Sequence, residues 1–253
     1  MPTALVLSPH LDDAAFSCGG TMAQLADAGW HGVMATAFTA TVLPATGFAL
    51  ACQLDKGLGP DADYMALRRD EDRVAAGILG VDDLRWLDLP EAPHRGYESA
   101  AALFGALRSD DAVWRPLADG IRALTEELQP DLVLAPQGLG NHVDHQQMIR
   151  AVQQAAPRHL AFYRDTPYAL RDTNAVSDHM ESGLHECAPG IVAGLERKIA
   201  ASCAYRSQIG FQFGGPARLA AALREFAVVE GQGRPAERFL ASPAALDLLS
   251  GSH

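Results

Sequence analysis

The amino-acid sequence predicts an α/β sandwich in which helices cover both faces of a mostly parallel sheet. Short continuous apolar runs, such as residues 4–7 and 132–135, alternate along the chain with longer segments of helical periodicity. Continuous apolar runs are typical of parallel strands that are buried on both faces. With 253 residues, of which 48% are hydrophobic, the chain can bury a sizeable core, and we predict one domain over residues 1–253.

The alternation gives a specific order of elements. Strands are predicted at residues 4–7, 33–38, 84–89, 132–135 and 160–163. Helices are predicted at residues 21–28, 64–79, 118–128, 142–155, 195–206 and 216–226. The helix at 64–79 has Leu67, Val74 and Ile78 on one face and Gly80 as its C-terminal stop, and the pair Gly19-Gly20 is expected to open the first helix.

Two stretches show no clear periodicity of apolar residues. Residues 39–63 contain three glycines and two prolines, and a loop of that length is usually a lid, a binding loop or locally disordered. Residues 91–110 are a second stretch of this kind, with a short helix expected near 100–107. The region after residue 166 is expected to form a smaller substructure that packs on the sheet.

Charge and cysteine content exclude several classes of protein. The chain has 20 basic and 31 acidic residues, and this net charge of −11 disfavours nucleic-acid binding. No segment approaches the roughly 20 apolar residues of a membrane span. The N-terminus lacks the basic flank of a secretory signal, and the four cysteines are widely spaced, so we expect a cytoplasmic protein with reduced thiols. The composition suits a monomer and a symmetric homo-oligomer equally.

The first chemically informative motif directly follows the first predicted strand. It reads Ser8-Pro9-His10-Leu11-Asp12-Asp13. Ligands of open parallel sheets bind outside the C-terminal ends of the strands, where this motif lies. Neighbouring side chains point in different directions, so one aspartate can bind a metal with His10 while the other contacts water. The alternative is a simple turn in which an aspartate caps a helix.

A second motif follows the fourth predicted strand. It reads Asn141-His142-Val143-Asp144-His145, and the two histidines are three residues apart, on one face of a helix. Asp144 is placed to orient a neighbouring imidazole. The two motifs together supply three His/Asp ligands and leave a position for water, as in a catalytic zinc site. Zn²⁺ is the first choice for such ligands, and Fe²⁺ shares them.

These residues resemble the PIG-L/LmbE-like family of zinc-dependent N-deacetylases. That family has His-Pro-Asp-Asp near the N-terminus and His-x-Asp-His in mid-chain, and Gly19-Gly20 and the helix with Arg68 and Glu71 resemble it as well. The resemblance spans roughly the first 155 residues, with a motif-bearing core of about 1–165 and a variable, substrate-side region of about 166–253. Leu11 and Val143 replace prolines common in the two motifs, which relaxes the backbone but removes no ligand.

The resemblance implies a Rossmann-like three-layer fold and a role for each motif residue. It implies three zinc ligands: His10, Asp13 and His145. Asp12 is then the general base, and His142 stabilises the oxyanion with Asp144 tuning it. Arg68 contacts a substrate hydroxyl or phosphate; the alternative is an Arg68–Glu71 pair on a solvated helix.

The function implied is removal of the N-acetyl group from an N-acetylglucosamine-type sugar or glycoconjugate. One alternative is a zinc amidase that acts on a thiol conjugate or another small amide, and another is a metal- or ligand-binding module without catalysis. A polar set after a late helix lines the sugar pocket or is an ordinary helix end: Tyr205, Arg206 and Gln208. Five further histidines are expected to be structural or exposed: His31, His94, His159, His179 and His185. Cys18 is expected to be a buried thiol.

Overall fold

The computed structural model describes residues 1–250 and confirms the predicted α/β sandwich; residues 251–253 of the predicted domain lie outside the described residues. The described residues form seven strands: β1 Thr3–Ser8, β2 His31–Thr36, β3 Asp83–Trp86, β4 Leu132–Pro136, β5 Leu160–Tyr163, β6 His185–Cys187 and β7 Phe239–Ala241. All five strands predicted from the sequence are present, and the two extra strands belong to the region after residue 166 that the sequence left unassigned.

Helices surround the sheet. The described residues form the following α-helices: α1 Asp13–Asp27, α2 Gly47–Asp55, α3 Tyr64–Leu79, α4 Ala100–Leu103, α5 Trp114–Leu128, α6 Val143–Ala155, α7 Tyr168–Arg171, α8 Leu195–Ser202, α9 Arg206–Phe213, α10 Pro216–Glu230 and α11 Pro243–Ser250. Short 3-10 helices lie at Ala92–Arg95 and Leu139–Asn141. None of the helices in the described part of the chain is long and apolar enough to cross a membrane.

The strand order is β3-β2-β1-β4-β5-β7-β6. The first five strands are parallel, and β7 and β6 add an antiparallel edge. The order reverses between β1 and β4, and the crevice at such a reversal is where ligands bind in open α/β sheets. The two motifs lie at the C-terminal ends of these two neighbouring strands.

Alternate residues of the strands feed two separate cores, one on each face. In β1, Val6 belongs to the core under α1, α3 and α8, while Leu5 and Leu7 belong to the core under α5 and α6. All three side chains are buried. The sheet is therefore the middle layer of a three-layer sandwich, as predicted.

The first helix begins earlier than predicted. α1 begins at Asp13 and includes Gly19-Gly20, with non-helical backbone angles only at Cys18. The glycine pair therefore does not open the helix. A Cβ at Gly20 would lie 2.7 Å from the Ile191 side chain, and one at Gly194 would lie 2.2 Å from the Gly20 carbonyl oxygen. The glycines allow α1 to approach the segment before α8 closely.

The bounds of α3 match the prediction, but its buried face does not. Val74 and Leu67 are 57% and 39% exposed, so the predicted apolar face points largely to solvent. The buried face combines charged side chains with apolar ones: Met65, Arg68, Glu71, Asp72, Ala75, Ala76 and Leu79. The periodicity of apolar residues indicated the wrong face. The charged side chains of α3 that point inward can be buried because they pair with residues distant in sequence. As predicted, Gly80 ends the helix with a left-handed backbone.

The segment predicted as one helix over 195–206 is instead divided into α8 and α9. The chain leaves helical geometry at Tyr205, whose ring is fully buried and whose hydroxyl donates a hydrogen bond to Asp72 at 2.7 Å. The two stretches without periodicity contain short helices: α2 lies within 39–63, and α4 and a 3-10 turn lie within 91–110.

Candidate active site

The two motifs meet at the floor of a cavity of about 400 Å³. The floor includes His10, Asp12 and Asp13 from the end of β1, and His142 and Asp144 from the start of α6. The walls come from both aperiodic stretches and from α7 and α9. The two segments that the sequence could not assign therefore form much of this cavity, consistent with a binding loop for 39–63.

His10 and Asp13 of the floor converge on one point with His145, which is fully buried beneath it. Asp13 Oδ2 lies 3.1 Å from His10 Nδ1 and 3.2 Å from His145 Nε2, and one ligand atom from each residue lies within 4.8 Å of the others. His145 Nε2 is buried and makes no hydrogen bond. Ligand atoms of a tetrahedral zinc site, with bonds of about 2.0–2.1 Å, are roughly 3.3 Å apart. The two distances to Asp13 Oδ2 are therefore close to the spacing of ligand atoms in a metal site.

Asp165 fixes the orientation of His145, and sequence reasoning did not find it. Its Oδ1 lies 2.6 Å from His145 Nδ1, and its Oδ2 accepts a hydrogen bond from the Leu139 amide at 3.1 Å. With the Nδ1 proton directed to Asp165, the Nε2 lone pair points to the shared centre. Asp165 lies just beyond the end of β5, next to β4, so its position at a strand end was the available signal.

Asp144 contacts His10 rather than the side chain of His142. Its Oδ2 lies 3.0 Å from His10 Nε2 and accepts from the Ala92 amide, while its Oδ1 accepts from Arg95 Nη2 at 2.7 Å. Arg95 also donates to Asp111. Burial opposes ionisation of Asp144, but the His10 hydrogen bond and the Arg95 charge outweigh it, so its pKa is well below the usual range.

Asp12 occupies the N-cap position of α1 but does not cap it with its side chain. Its Oδ1 lies 3.3 Å from Arg68 Nη2, and its Oδ2 accepts from Gln212 Nε2 at 3.2 Å. The Ser8 hydroxyl instead accepts the Ala14 amide at the first turn. Burial raises the pKa of Asp12 to about 6, although the Arg68 charge favours the carboxylate. The capping alternative therefore does not account for this side chain.

His142 is the N-cap of α6 and lines the cavity. Its Nδ1 accepts a hydrogen bond from the Asp144 amide at 3.2 Å, so the neutral ring carries its proton on Nε2. Burial lowers the pKa of His142 to about 3, although the Asp144 charge acts in the opposite direction. A neutral His142 can thus donate one hydrogen bond from Nε2.

Arg68 is buried at the cavity wall and pairs with acids distant in sequence. Besides Asp12, it donates from Nη1 to Glu91 Oε1 at 2.6 Å. Glu71 accepts from Ser207 instead. The predicted alternative of an Arg68–Glu71 pair on a solvated helix is therefore wrong: Arg68 is only 4% exposed and holds the Asp12 carboxylate in place.

The remaining candidates fall into two groups. Gln208 and His94 line the cavity, so His94 is not simply structural or exposed. Tyr205 is buried against Asp72, and Arg206 is exposed, so neither shares the wall with Gln208. Cys18 is buried, as expected. The other histidines lie elsewhere: His31, His159, His179 and His185.

Comparison with known proteins identifies the family to which the chain belongs. Residues 5–156 match the model of a family described as PIG-L, GlcNAc-PI de-N-acetylase. The chain belongs to the PIG-L family. The matched segment contains both motifs and four of the five parallel strands, and it ends just before β5.

Individual PIG-L relatives are deacetylases. The chain is 32% identical to 2'-N-acetylparomamine deacetylase of Streptomyces fradiae over 81% of this chain and 72% of the relative. A solved deacetylase of the teicoplanin biosynthesis pathway is 27% identical with a TM-score of 0.82, covering 94% of this chain and 97% of that one. A zinc-inhibited form of teicoplanin deacetylase is 25% identical with a TM-score of 0.79, covering 94% and 97%. The prediction of an N-deacetylase, an enzyme that hydrolyses an amide, is thereby confirmed.

Proposed function

We propose that this PIG-L protein is a metal-dependent hydrolase that removes the N-acetyl group from an N-acetylglucosamine-type sugar or glycoconjugate. The observation that carries the proposal is the convergence of His10, Asp13 and His145 on one point beneath a cavity that also contains Asp12 and His142. The sugar class rests on what the relatives are named to act on, including 2'-N-acetylparomamine.

The donor set suits a catalytic metal ion. Two imidazole nitrogens and one carboxylate oxygen are ligands that Zn²⁺ and Fe²⁺ share. The buried Nε2 of His145 supports this assignment: it lies 3.2 Å from Asp13 Oδ2 but makes no hydrogen bond with a described residue, and a buried polar atom without a hydrogen bond is costly unless something satisfies it. When bound, such an ion polarises a carbonyl and acidifies water.

The chain's own residues would perform the proton transfers. Asp12 is the general base: Arg68 and Gln212 fix its carboxylate, and a pKa of about 6 leaves it ionised and basic near neutral pH. It would then pass the proton to the departing amine. His142, neutral and protonated on Nε2, would donate a hydrogen bond to the oxygen of the tetrahedral intermediate. Asp144 would act on His10, which it contacts directly.

Metal content tests the ligand assignment. We expect about one Zn²⁺ or Fe²⁺ per chain by mass spectrometry, in protein purified without chelator or affinity tag, and loss of that ion in Asp13→Ala. Asp55→Ala, which removes an exposed carboxylate at the cavity wall, should keep the ion. A parent protein that takes up neither ion on titration would contradict the proposal. Both ions should be titrated, because a relative has a zinc-inhibited form.

Acetate release tests the reaction itself. The metal-loaded protein should release acetate from an N-acetylated amino sugar, such as N-acetylglucosamine, a glycoside of it or 2'-N-acetylparomamine. Simple acetamides and acylated thiol conjugates serve as comparison substrates. Cleavage of the conjugates alone would favour the amidase alternative, and a metal-loaded protein that cleaves no amide would favour a binding module.

Asp165→Asn should weaken metal binding without removing a ligand. The amide cannot accept the His145 proton as strongly as the carboxylate does, so we expect affinity for the metal to fall about 10- to 100-fold. Competition with a chromophoric chelator measures this directly. Asp172→Asn, at an exposed position nearby, is the matched control and should leave affinity unchanged. Equal affinities in Asp165→Asn and the parent would show that Asp165 does not support the site.

A further inference from the structure

Exposed apolar side chains line one side of the mouth of the cavity. Val42, Leu43 and Phe211 line it and are 39%, 54% and 70% exposed; we call these three residues the apolar rim. They come from two segments far apart in sequence. Large apolar side chains grouped at the opening of a polar site mark a surface that a ligand covers.

The contacts of neighbouring residues place the rim on the side of the cavity formed by the start of α3. The Thr41 hydroxyl donates to Asp63, the N-cap of α3, which fixes the chain next to Val42. Lys56 Nζ lies 5.2 Å from the centre of the Tyr64 ring and 5.6 Å from that of Phe211. Tyr64 is the first residue of α3, so these contacts bring the segments of the rim together.

This side of the cavity is also the side of Asp12. Phe211 directly precedes Gln212, whose amide donates to Asp12 Oδ2 at 3.2 Å. His142 lies by the other wall, where its ring packs against Phe104 at 5.3 Å between centroids. In amide hydrolysis the base serves the departing amine, and the oxyanion donor faces the carbonyl oxygen. The rim therefore faces the amine half of the substrate, which is the sugar and its aglycone.

We propose that the substrate is an N-acetylated amino sugar with an apolar aglycone, that the apolar rim covers this aglycone, and that Phe211 determines specificity for it. This inference rests on the proposed function. The charges near the rim do not select the sign of the aglycone, because Lys56 lies against Phe211 while Asp55 and Asp63 line the same cavity. The acetyl group, by contrast, would lie near His142, on the side where the half-exposed Phe104 packs.

Glycosides that differ only in the aglycone test the proposal. Acetate release is measured from methyl, octyl and 2-aminoethyl N-acetylglucosaminides, with the octyl compound below its micelle concentration. We expect kcat/KM at least about tenfold higher for the octyl than for the methyl glycoside, as each apolar contact in a pocket discriminates by 10-fold or more. The 2-aminoethyl glycoside offers the rim little apolar surface, so its kcat/KM should also stay well below that of the octyl glycoside.

Phe211→Ser should lower the octyl-to-methyl ratio of kcat/KM towards one, mainly through KM for the octyl glycoside. Phe211→Leu should retain most of the ratio, and both variants should be checked for folding by their thermal unfolding. Val192→Ser is the matched control, since Val192 is equally 70% exposed but lies outside the cavity lining. It should leave the ratio unchanged.

The outcomes separate this inference from the function on which it rests. If no glycoside and no free N-acetylglucosamine releases acetate, the proposed function fails. If the methyl and octyl glycosides are cleaved equally well, the function stands and the apolar aglycone is overturned. If the octyl glycoside is preferred but Phe211→Ser keeps the preference, the role of Phe211 is overturned. N-octanoylglucosamine cleaved better than N-acetylglucosamine, with no aglycone effect, would assign the rim to the acyl group instead.

Discussion

Asp12→Asn should lower kcat/KM for deacetylation by about 10²- to 10⁴-fold while the metal content stays unchanged. The amide keeps the size of the carboxylate but cannot accept a proton from water. Because Asp12 makes no side-chain hydrogen bond to the helix it precedes, the substitution removes no cap. The loss should therefore appear in kcat, with the unfolding temperature close to that of the parent. Acetate release, metal analysis and thermal unfolding on the same preparations measure all three.

Asp70→Asn is the matched control for this substitution. Asp70 lies on the outer face of α3, where it pairs with the neighbouring Arg73, so the same chemical change there should leave activity intact. Full activity in Asp12→Asn would show that another group acts as the base. Loss of the metal together with activity would show that Asp12 holds the ion, and the ligand assignment would then need revision.

The parts of the fold that follow from local chemistry were predictable from the sequence. The strands leading to the motifs are short, apolar and ended by polar turns, and all of them formed as expected. α3 has the predicted bounds because Gly80 supplies the left-handed residue that its end requires. Its buried face was not predictable, because the inward Arg68 and Asp72 are satisfied by Glu91, Trp86 and Tyr205.

The residues of the candidate site likewise divide into those that the sequence predicted and those that it did not. The two motifs identify the residues that converge, because motif spacing and strand ends are visible in the sequence. Asp165 and Arg95 were not predicted, because each is a single charged residue whose role depends on contact with a residue in another segment. Asp165 orients His145 across 20 residues, and Arg95 reaches Asp144 across 49. The apolar rim was missed for a similar reason: its segments are distant in sequence, and the first of them has no period.

The break in α1 at Cys18 is stabilised by residues that are distant in sequence. At the break around Cys18, the helix leaves backbone groups without their usual helical partners. Lys198 Nζ donates to the Ser17 carbonyl at 2.9 Å, while the Glu237 carboxylate accepts from the Gly20 and Thr21 amides at 2.9 and 2.8 Å. Lys198 and Glu237 also pair with each other at 2.7 Å. This buried pair therefore caps both sides of the break.

Lys198→Met should lower the free energy of unfolding by about 3–5 kcal/mol, because it leaves the buried Glu237 carboxylate without its counter-ion. Lys198→Met combined with Glu237→Gln should be less destabilised than Lys198→Met alone, as the unpaired charge is then gone. Arg224→Met breaks the exposed Arg224–Glu196 pair and is the matched control, with little expected change. Urea unfolding at equal metal loading measures all of them.

The Lys198→Met variant also shows whether the break in α1 affects metal binding. Ser17 lies four residues after Asp13, and its hydroxyl accepts a hydrogen bond from the Thr166 amide next to Asp165, so Lys198 holds a segment that touches both sides of the proposed metal site. If Lys198→Met is destabilised but keeps the parent's metal affinity under native conditions, the pair only stabilises the fold. If affinity falls as well, the pair also positions Asp13. A stability like that of Arg224→Met would contradict the expected cost of the unpaired charge.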